Sequence, residues 1–314
     1  LQLTHSIDTM MPQSMHYFIV LKSVYMSNFT ATLISKTFEG FSRPVKNPKR
    51  WNWPRFLWSP IMACLLLAVI ARVWLIVHTN GVIAGDEAMV GLQAEHILHG
   101  EHPIYYYDQP YMGSLQMYLI AGIILLTGPS VWAIRIEPLL ISLVIVYLTW
   151  RFSAALADAA HLSTRAKTLF MVIATLVAAF PPLYDSVEEM RTTGGYVEAF
   201  AIMLWLLLCA FRLTQRWRAG ASARELALRW AGIGFLVGLG FWIDPLVVYA
   251  LLTIVLWIGW YVISEFVKPH RQTATQPRMT LLKEALLFVI AIPASLVGFA
   301  PGLYWGAHHQ WANI

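Results

Sequence analysis

Residues 57–77 read LWSPIMACLLLAVIARVWLIV, a run of 21 residues with a single charge, Arg72. Roughly 20 apolar residues are needed to carry a helix across the hydrocarbon core of a bilayer. In that medium only structures that satisfy their own backbone, helices or closed barrels, can cross. Working outward from this run, comparable segments recur at 131–150, 166–182, 196–213, 230–243, 245–263 and 284–305. The chain is 58% hydrophobic and 12% charged, with a mean hydropathy of +0.59. A soluble domain is usually about 25% charged. The surplus apolar surface therefore faces lipid, and the expected fold is an all-α, polytopic membrane bundle of about seven transmembrane helices.

The segment 114–127 is apolar but too short to cross, and is expected to lie as an interfacial helix in the first outer loop. The segment 230–243 is short and glycine-rich, with Gly232, Gly234, Gly238 and Gly240. Small residues let helix backbones approach closely, so this helix is predicted to be buried in the bundle.

Orientation follows from Lys and Arg. Arg43, Lys46, Lys49, Arg50 and Arg55 precede the first span, and Arg151, Arg165 and Lys167 follow the second. Arg212, Arg216, Arg218, Arg224 and Arg229 form a third group, and Lys268, Arg271, Arg278 and Lys283 a fourth. All four fall on one side only if 114–127 does not cross. Residues 1–55 are then a cytoplasmic, unstructured tail, and 56–314 form the membrane domain. The net charge of +5 is spread between spans rather than gathered on one face, which argues against a nucleic-acid partner and for membrane lipid. Cys64 and Cys209 both sit in apolar runs, where neither a disulfide framework nor a CxxC metal site is expected.

The opposite face is acidic. Between residues 78 and 113 there is no Lys or Arg, but there are five acids: Asp86, Glu87, Glu95, Glu101 and Asp108. Asp86 and Glu87 open a predicted helix that ends near His99 and Gly100, where Asp86 could cap the free N–H groups. Tyr105, Tyr106, Tyr107 and Tyr111 follow, with Asp108 and Gln109, a mixture suited to holding a sugar ring and equally to a membrane-interface belt. The next outer loop carries Asp185, Glu188, Glu189 and one base, Arg191, ahead of Gly194 and Gly195; a third outer turn carries Asp244. An outer carboxylate can act as general base, taking a proton from an acceptor hydroxyl as its oxygen attacks an activated carbon. Arg191, with backbone N–H groups at the two glycines, would meet an anionic leaving group; it could also simply pair with Glu188 or Glu189. His96, His99 and His102 recur at three-residue spacing, but Gly100 and Pro103 break the helix ahead of His102, so no metal is assigned. Arg72, Arg135 and Glu137 lie within apolar spans, where ionised groups are functional candidates by default.

Several of these runs taken together resemble a known family. They are Gly85-Asp86-Glu87-Ala88 through Gly91, Gly100-Glu101, Gln109-Pro110-Tyr111 and Gly113-Ser114-Leu115. Arg191 with Gly194-Gly195-Tyr196-Val197-Glu198, and Phe241-Trp242-Ile243-Asp244-Pro245-Leu246, extend the likeness over about residues 57–263. These runs are similar to the outer loops of GT-C glycosyltransferases, in the subgroup of protein O-mannosyltransferases and lipid A aminoarabinose transferases. The resemblance implies an inverting transfer of a hexosyl or pentosyl group from a polyprenyl-phosphate-linked donor to a hydroxyl of a glycan, lipid or protein acceptor. The reaction would take place on the non-cytoplasmic face of the cell membrane, without a cofactor. It implies Asp86 as base, Glu87 as its support or an acceptor contact, and Arg191 at the donor phosphate. Asp108, Gln109, Tyr111, Asp185, Glu188, Gly195, Tyr196 and Asp244 complete the implied substrate-binding set. Family members continue beyond seven spans, so the resemblance also implies that 56–314 is a C-terminally incomplete glycosyltransferase domain. A transporter or lipid flippase is the alternative, and would place acids within the bilayer rather than in outer loops.

Overall fold

The computed structural model describes residues 59–78, 81–267 and 286–313. The tail 1–55 and most of the basic segment 264–283 lie outside these residues.

Helix α1 (Pro60–His78) is followed by α2 (Gly85–Leu98), a hairpin of β1 (Tyr105–Tyr106) and β2 (Gln109–Gly113), and α3 (Leu115–Thr127). Next come α4 (Val131–Ala159), α5 (Thr164–Ala179), α6 (Leu183–Glu189), α7 (Tyr196–Arg218), α8 (Ala223–Ile243) and α9 (Val247–Val267). A 3-10 turn (Leu286–Ile290), α10 (Ala291–Gly298) and α11 (Ala300–His308) end the described chain.

Among the described residues five helices, α1, α4, α7, α8 and α9, are long and apolar enough to cross a membrane. The expected spans near 166–182 and 284–305 are bent instead of straight. α5 and α6 meet at 70°, and the last segment bends by 59° between α10 and α11. Each bend falls at proline: Pro181-Pro182 in the first, Pro301 in the second. Proline has no N–H to donate and clashes with the preceding turn. Counted as broken spans, these two pairs bring the total to seven. The chain is an α-helical, multi-pass membrane protein. Its apolar residues also point outward, as lipid contact requires: Leu256 on α9 is 73% exposed and Leu66 on α1 is 61% exposed.

α3 has 13 residues, a length of about 20 Å, short of the bilayer core, as its sequence predicted. The hairpin ahead of it was not expected. β1 and β2 pair antiparallel, Tyr105 with Gly113 and Tyr106 with Gln109. Asp108 turns the chain with a φ of 57°, a left-handed conformation that Asp tolerates better than most residues.

The prediction that the glycine-rich helix packs closely is met by α8 and α10. A Cβ at Gly234 would fall 2.1 Å from the Ala291 carbonyl oxygen, and one at Gly238 would fall 1.9 Å from that of Ser295. Gly298 of α10 returns the contact against Phe235. The main core gathers on α7, where Leu206, Leu213 and Trp217 pack with Leu226 and Ile243 of α8 and with Val247 and Ile254 of α9.

Candidate functional site

The loops that carry Asp86, Arg191 and Asp244 lie in one neighbourhood. α2 begins with Ala84 as its cap residue, and its first turn carries Asp86 and Glu87. The capping work belongs to Glu87, not Asp86: its Oε2 accepts the Ala84 N–H at 2.7 Å. An acid three residues inside the cap is the position from which a carboxylate reaches back to the helix start. Among the described residues the Asp86 carboxylate makes no hydrogen bond, and it is exposed. The structural explanation that capping offered for Asp86 therefore passes to its neighbour.

Glu87 is 1% exposed and pairs with Arg135 of α4 at 2.5 Å, with a second contact of 3.1 Å. Arg135 also donates to the carbonyl oxygens of Met190 (2.5 Å) and Val82 (3.3 Å). One guanidinium thus ties the start of α2 to the segment that carries Arg191. Burial fits Glu87 as a support for the loop and leaves it no access to an acceptor.

Arg72, predicted as an intramembrane candidate, is 2% exposed and ion-pairs with Glu189 at 2.7 Å. It donates as well to the carbonyl oxygens of Ala179 (2.7 Å) and Ala178 (3.3 Å). These lie at the end of α5, where Pro181 and Pro182 supply no N–H to continue the ladder. Carbonyls freed by a helix end need another donor, and Arg72 provides it. Its role is to seat the bend between α5 and α6.

The hairpin is braced from both sides. Gln93 of α2 donates to the Tyr105 carbonyl (2.9 Å) and accepts from the Tyr107 N–H (3.3 Å). Trp242 at the end of α8 donates from Nε1 to the Ile104 carbonyl at 3.1 Å. Ser114 donates to the Pro103 carbonyl at 2.6 Å. From the far end of the described chain, Asn313 donates to the Tyr105 hydroxyl (2.9 Å) and the Gly302 carbonyl (3.0 Å).

Within this frame several predicted residues share one neighbourhood. Asp86 interacts electrostatically with Arg191, Tyr106 and Tyr196, and Tyr196 with Tyr111 and Asp244. The Tyr106 hydroxyl also donates to the Asp86 carbonyl at 3.3 Å. Tyr111 and Tyr196 are exposed, while Asp244 is buried and accepts the Leu246 N–H at 2.7 Å. Burial pushes the Asp244 carboxyl above its ordinary range, opposed by that hydrogen bond. Among the described residues Gln109 reaches the group only through the Tyr111 hydroxyl, which donates to it at 3.0 Å. Asp108 stands at the exposed hairpin tip, and Asp185 interacts with Glu189; no described contact brings either to Asp86.

Arg191 uses one nitrogen, Nη1, on both oxygens of Glu188, at 3.1 and 3.2 Å. That contact is the leading cause of a guanidinium pKa above its ordinary value. Its Nε and Nη2 make no hydrogen bond among the described residues. Gly194 and Gly195 have φ of 93° and 107°, a left-handed pair that favours glycine. The Gly194 N–H is already committed, donating to Gln116 Oε1 at 2.9 Å, so it is not available to an anion as its sequence suggested.

Beneath these glycines lies a buried polar cluster that the sequence reading only half anticipated. Gln116 of α3 donates to Glu137 of α4 at 3.1 Å. Glu137 in turn meets Glu198 of α7. Gln116, Glu137 and Glu198 are 1%, 1% and 3% exposed. Neither oxygen of Glu198 accepts a well-formed hydrogen bond. Gln116 and Gln93 were missed as structural residues, although an amide in an apolar helix must find a partner when buried, which was the signal.

The histidines have separate partners. His96 Nδ1 lies 2.7 Å from the Tyr107 hydroxyl and His99 Nδ1 lies 2.8 Å from the Glu95 carbonyl. Among the described residues no three His, Cys, Asp or Glu side chains converge. A cavity of 480 Å³ lined by Trp150, Asp158, Lys167 and Met171 opens at the other end of α4, far from Asp86. Comparison with protein-family models, with curated proteins and with solved structures yields no match for this chain.

Proposed function

We propose that this chain is a membrane glycosyltransferase of the GT-C type, with Asp86 as general base. The observation that carries the reading is the division of labour within one turn of α2. Glu87 is buried, capped onto the backbone and paired with Arg135, whereas the Asp86 carboxylate is exposed, makes no hydrogen bond among the described residues and is near Arg191. A carboxylate held on a rigid helix start without a structural task suits proton transfer.

In this reading the acceptor hydroxyl gives its proton to Asp86 as its oxygen attacks the anomeric carbon from the face opposite the phosphate. The new carbon–oxygen bond forms as the bond to the donor phosphate breaks, inverting the centre. Polyprenyl phosphate leaves as an anion, and the unoccupied donors of Arg191 stabilise its charge. Tyr111 and Tyr196 flank the sugar. The resemblance of the outer loops supplies the substrate class. The cell membrane, with the basic loops cytoplasmic, is the expected location.

The test is turnover in proteoliposomes given a polyprenyl-phosphate sugar and a hydroxyl acceptor. Asp86→Asn should abolish transfer while the protein inserts normally; undiminished turnover would sink the reading.

One observation favours the transporter alternative: Glu137 and Glu198 are carboxyls buried between α4 and α7, within spanning helices. Buried intramembrane carboxyls recur in proton relays. On that reading Glu137→Gln would abolish a gradient-driven flux that Asp86→Asn leaves intact.

A further inference from the structure

Two carboxyl groups face each other inside the bundle. Glu198 stands three residues past the Gly195 cap of α7, and Glu137 six residues past the start of α4. At 1.5 Å per residue these are ~5 and ~9 Å along their helices. The two are 3% and 1% exposed. The faces that carry them pack together. Ile141 and Ile145, one and two turns beyond Glu137, meet Val197 and Ala201, which flank Glu198.

Gln116 fixes the pair from α3. Its amide nitrogen donates to Glu137 Oε2 at 3.1 Å, and its oxygen accepts the Gly194 N–H at 2.9 Å, beside the start of α7. Glu137 Oε1 and both oxygens of Glu198 are left without a hydrogen-bond donor. The Glu137 and Glu198 side chains nevertheless lie within hydrogen-bond reach of each other. An ionised carboxylate only accepts. Two such acceptors in contact and away from water repel, unless one of them carries a proton. A second sign of a missing group comes from Thr192. It is fully buried on the segment clamped by Arg135 at Met190 and by Gln116 at Gly194, and its hydroxyl has no partner.

The bases of the packed elements are committed elsewhere. Arg135 of α4 turns to Glu87 and two carbonyls, Arg72 of α1 to Glu189 and two carbonyls, and Arg191 to Glu188. α3 carries no charged residue and Tyr118 as its one phenol. Of the acids at the neighbouring helix ends, Asp244 accepts the Leu246 N–H, and Tyr196 at the start of α7 is exposed. The basic segments outside the described residues join the chain far from this level. Val267, which leads into 268–283, is ~30 Å along α9 from Val247, and Pro60, which follows the tail, is ~27 Å along α1 from His78.

We propose that Glu137 and Glu198 form a proton-binding site between α4 and α7, two carboxyls holding one proton between them. The proton supplies the donor that the pair lacks and leaves it a single negative charge, toward which the Gln116 amide already points. It thereby closes the contact between the two helices. Through Gln116 it also steadies the Gly194 N–H on the segment that carries Arg191. Intramembrane carboxyls are functional candidates by default, each with its partner to be named; here each is the other's partner. The site does not rest on Asp86 being a base.

The experiment is labelling of the full chain in proteoliposomes with dicyclohexylcarbodiimide, an apolar reagent that adds to protonated carboxyls, followed by peptide mass spectrometry. At about pH 8, where ordinary carboxyls are ionised, wild-type protein should take up one adduct, on Glu137 or Glu198, and none on Asp86, Glu101 or Asp108. Glu137→Gln/Glu198→Gln should take up none. Each single Gln variant puts an amide donor beside the remaining carboxylate, preserves the side-chain volume and should lose adduct several-fold. The singles keep the test valid where the double variant fails to insert. Asp108→Asn is the control and should label like wild type. Absence of the wild-type adduct, two adducts on one chain, or full labelling in the single variants would overturn the shared proton. Protection by sodium but not by choline would overturn it too, by assigning the pair to a small cation.

Discussion

Glu87 and Arg135, 48 residues apart in sequence, close a two-pronged ion pair of 2.5 and 3.1 Å at the start of α2. The pair joins the start of α2 to α4, and the same guanidinium holds the Met190 carbonyl of the loop that carries Arg191. Asp86 and Arg191 therefore ride on segments fixed by one buried cation.

Removing either partner leaves the other charge buried alone, which costs about 3–5 kcal/mol. Arg135→Ala and Glu87→Ala should each lower the unfolding temperature in detergent by a large margin. The double variant Glu87→Leu/Arg135→Met should recover part of the loss. A double variant as unstable as the sum of the singles would mean that the pair is not coupled.

Arg72 should be needed for the bend between α5 and α6. Arg72→Ala strips the donors from the Ala178 and Ala179 carbonyls and leaves Glu189 unpaired. Limited proteolysis and hydrogen exchange should show residues 180–195 opened, with about 3–5 kcal/mol of local protection lost. Unaltered protection there would contradict the role assigned to Arg72.

The glycines of α8 are not equivalent. Gly238→Ala forces a methyl group into the Ser295 carbonyl, whereas at Gly232 no atom lies within 4 Å of the added carbon. Gly238→Ala should therefore destabilise by about 1–3 kcal/mol through overpacking. Gly232→Ala should be neutral or slightly stabilising, since alanine favours helix by about 1 kcal/mol. Equal melting temperatures for the two variants would argue against backbone contact between α8 and α10.

The Tyr107 phenol is pushed up to about 12, first by burial and then by its hydrogen bond to Glu101. The folded state holds this proton longer than the unfolded chain, whose phenols ionise near ~10. Stability from this group is complete below that lower value and declines as pH climbs toward the upper one. Tyr107→Phe should flatten that part of the stability profile, read by denaturant unfolding, and remove one late-ionising phenol from the ultraviolet titration. A wild-type profile that is already flat there would refute the shift.

The apolar helices and the gathering of acids in the loops between them were legible because each depends on residues near one another in sequence. So was the close packing of α8, since glycines at helical spacing carry their own reason. The hairpin was not, because β1 is two residues long and gives no periodic signal. Its strands exist through Gln93, Ser114 and Trp242, which brace them from elsewhere. Asp86 and Arg191 were picked out by type and loop, but the partners of Glu87 and Arg72 were not. Those partners lie 48 and 117 residues away, and which helix faces which is decided by packing that no local pattern encodes.

The hydrogen bond from Asn313 to the Tyr105 hydroxyl spans 208 residues. A membrane chain enters the bilayer in order of synthesis, so the loop that carries Tyr105 emerges long before Asn313 exists. At roughly 5–20 residues per second of translation, the hairpin waits ~10–40 s for Asn313. Until then Tyr105 lacks that partner and the edge contact of Trp305, 5.2 Å from its ring. The surface around the hairpin is thus completed only once Asn313 emerges, and a ribosome-bound intermediate would carry the earlier helices without a finished hairpin.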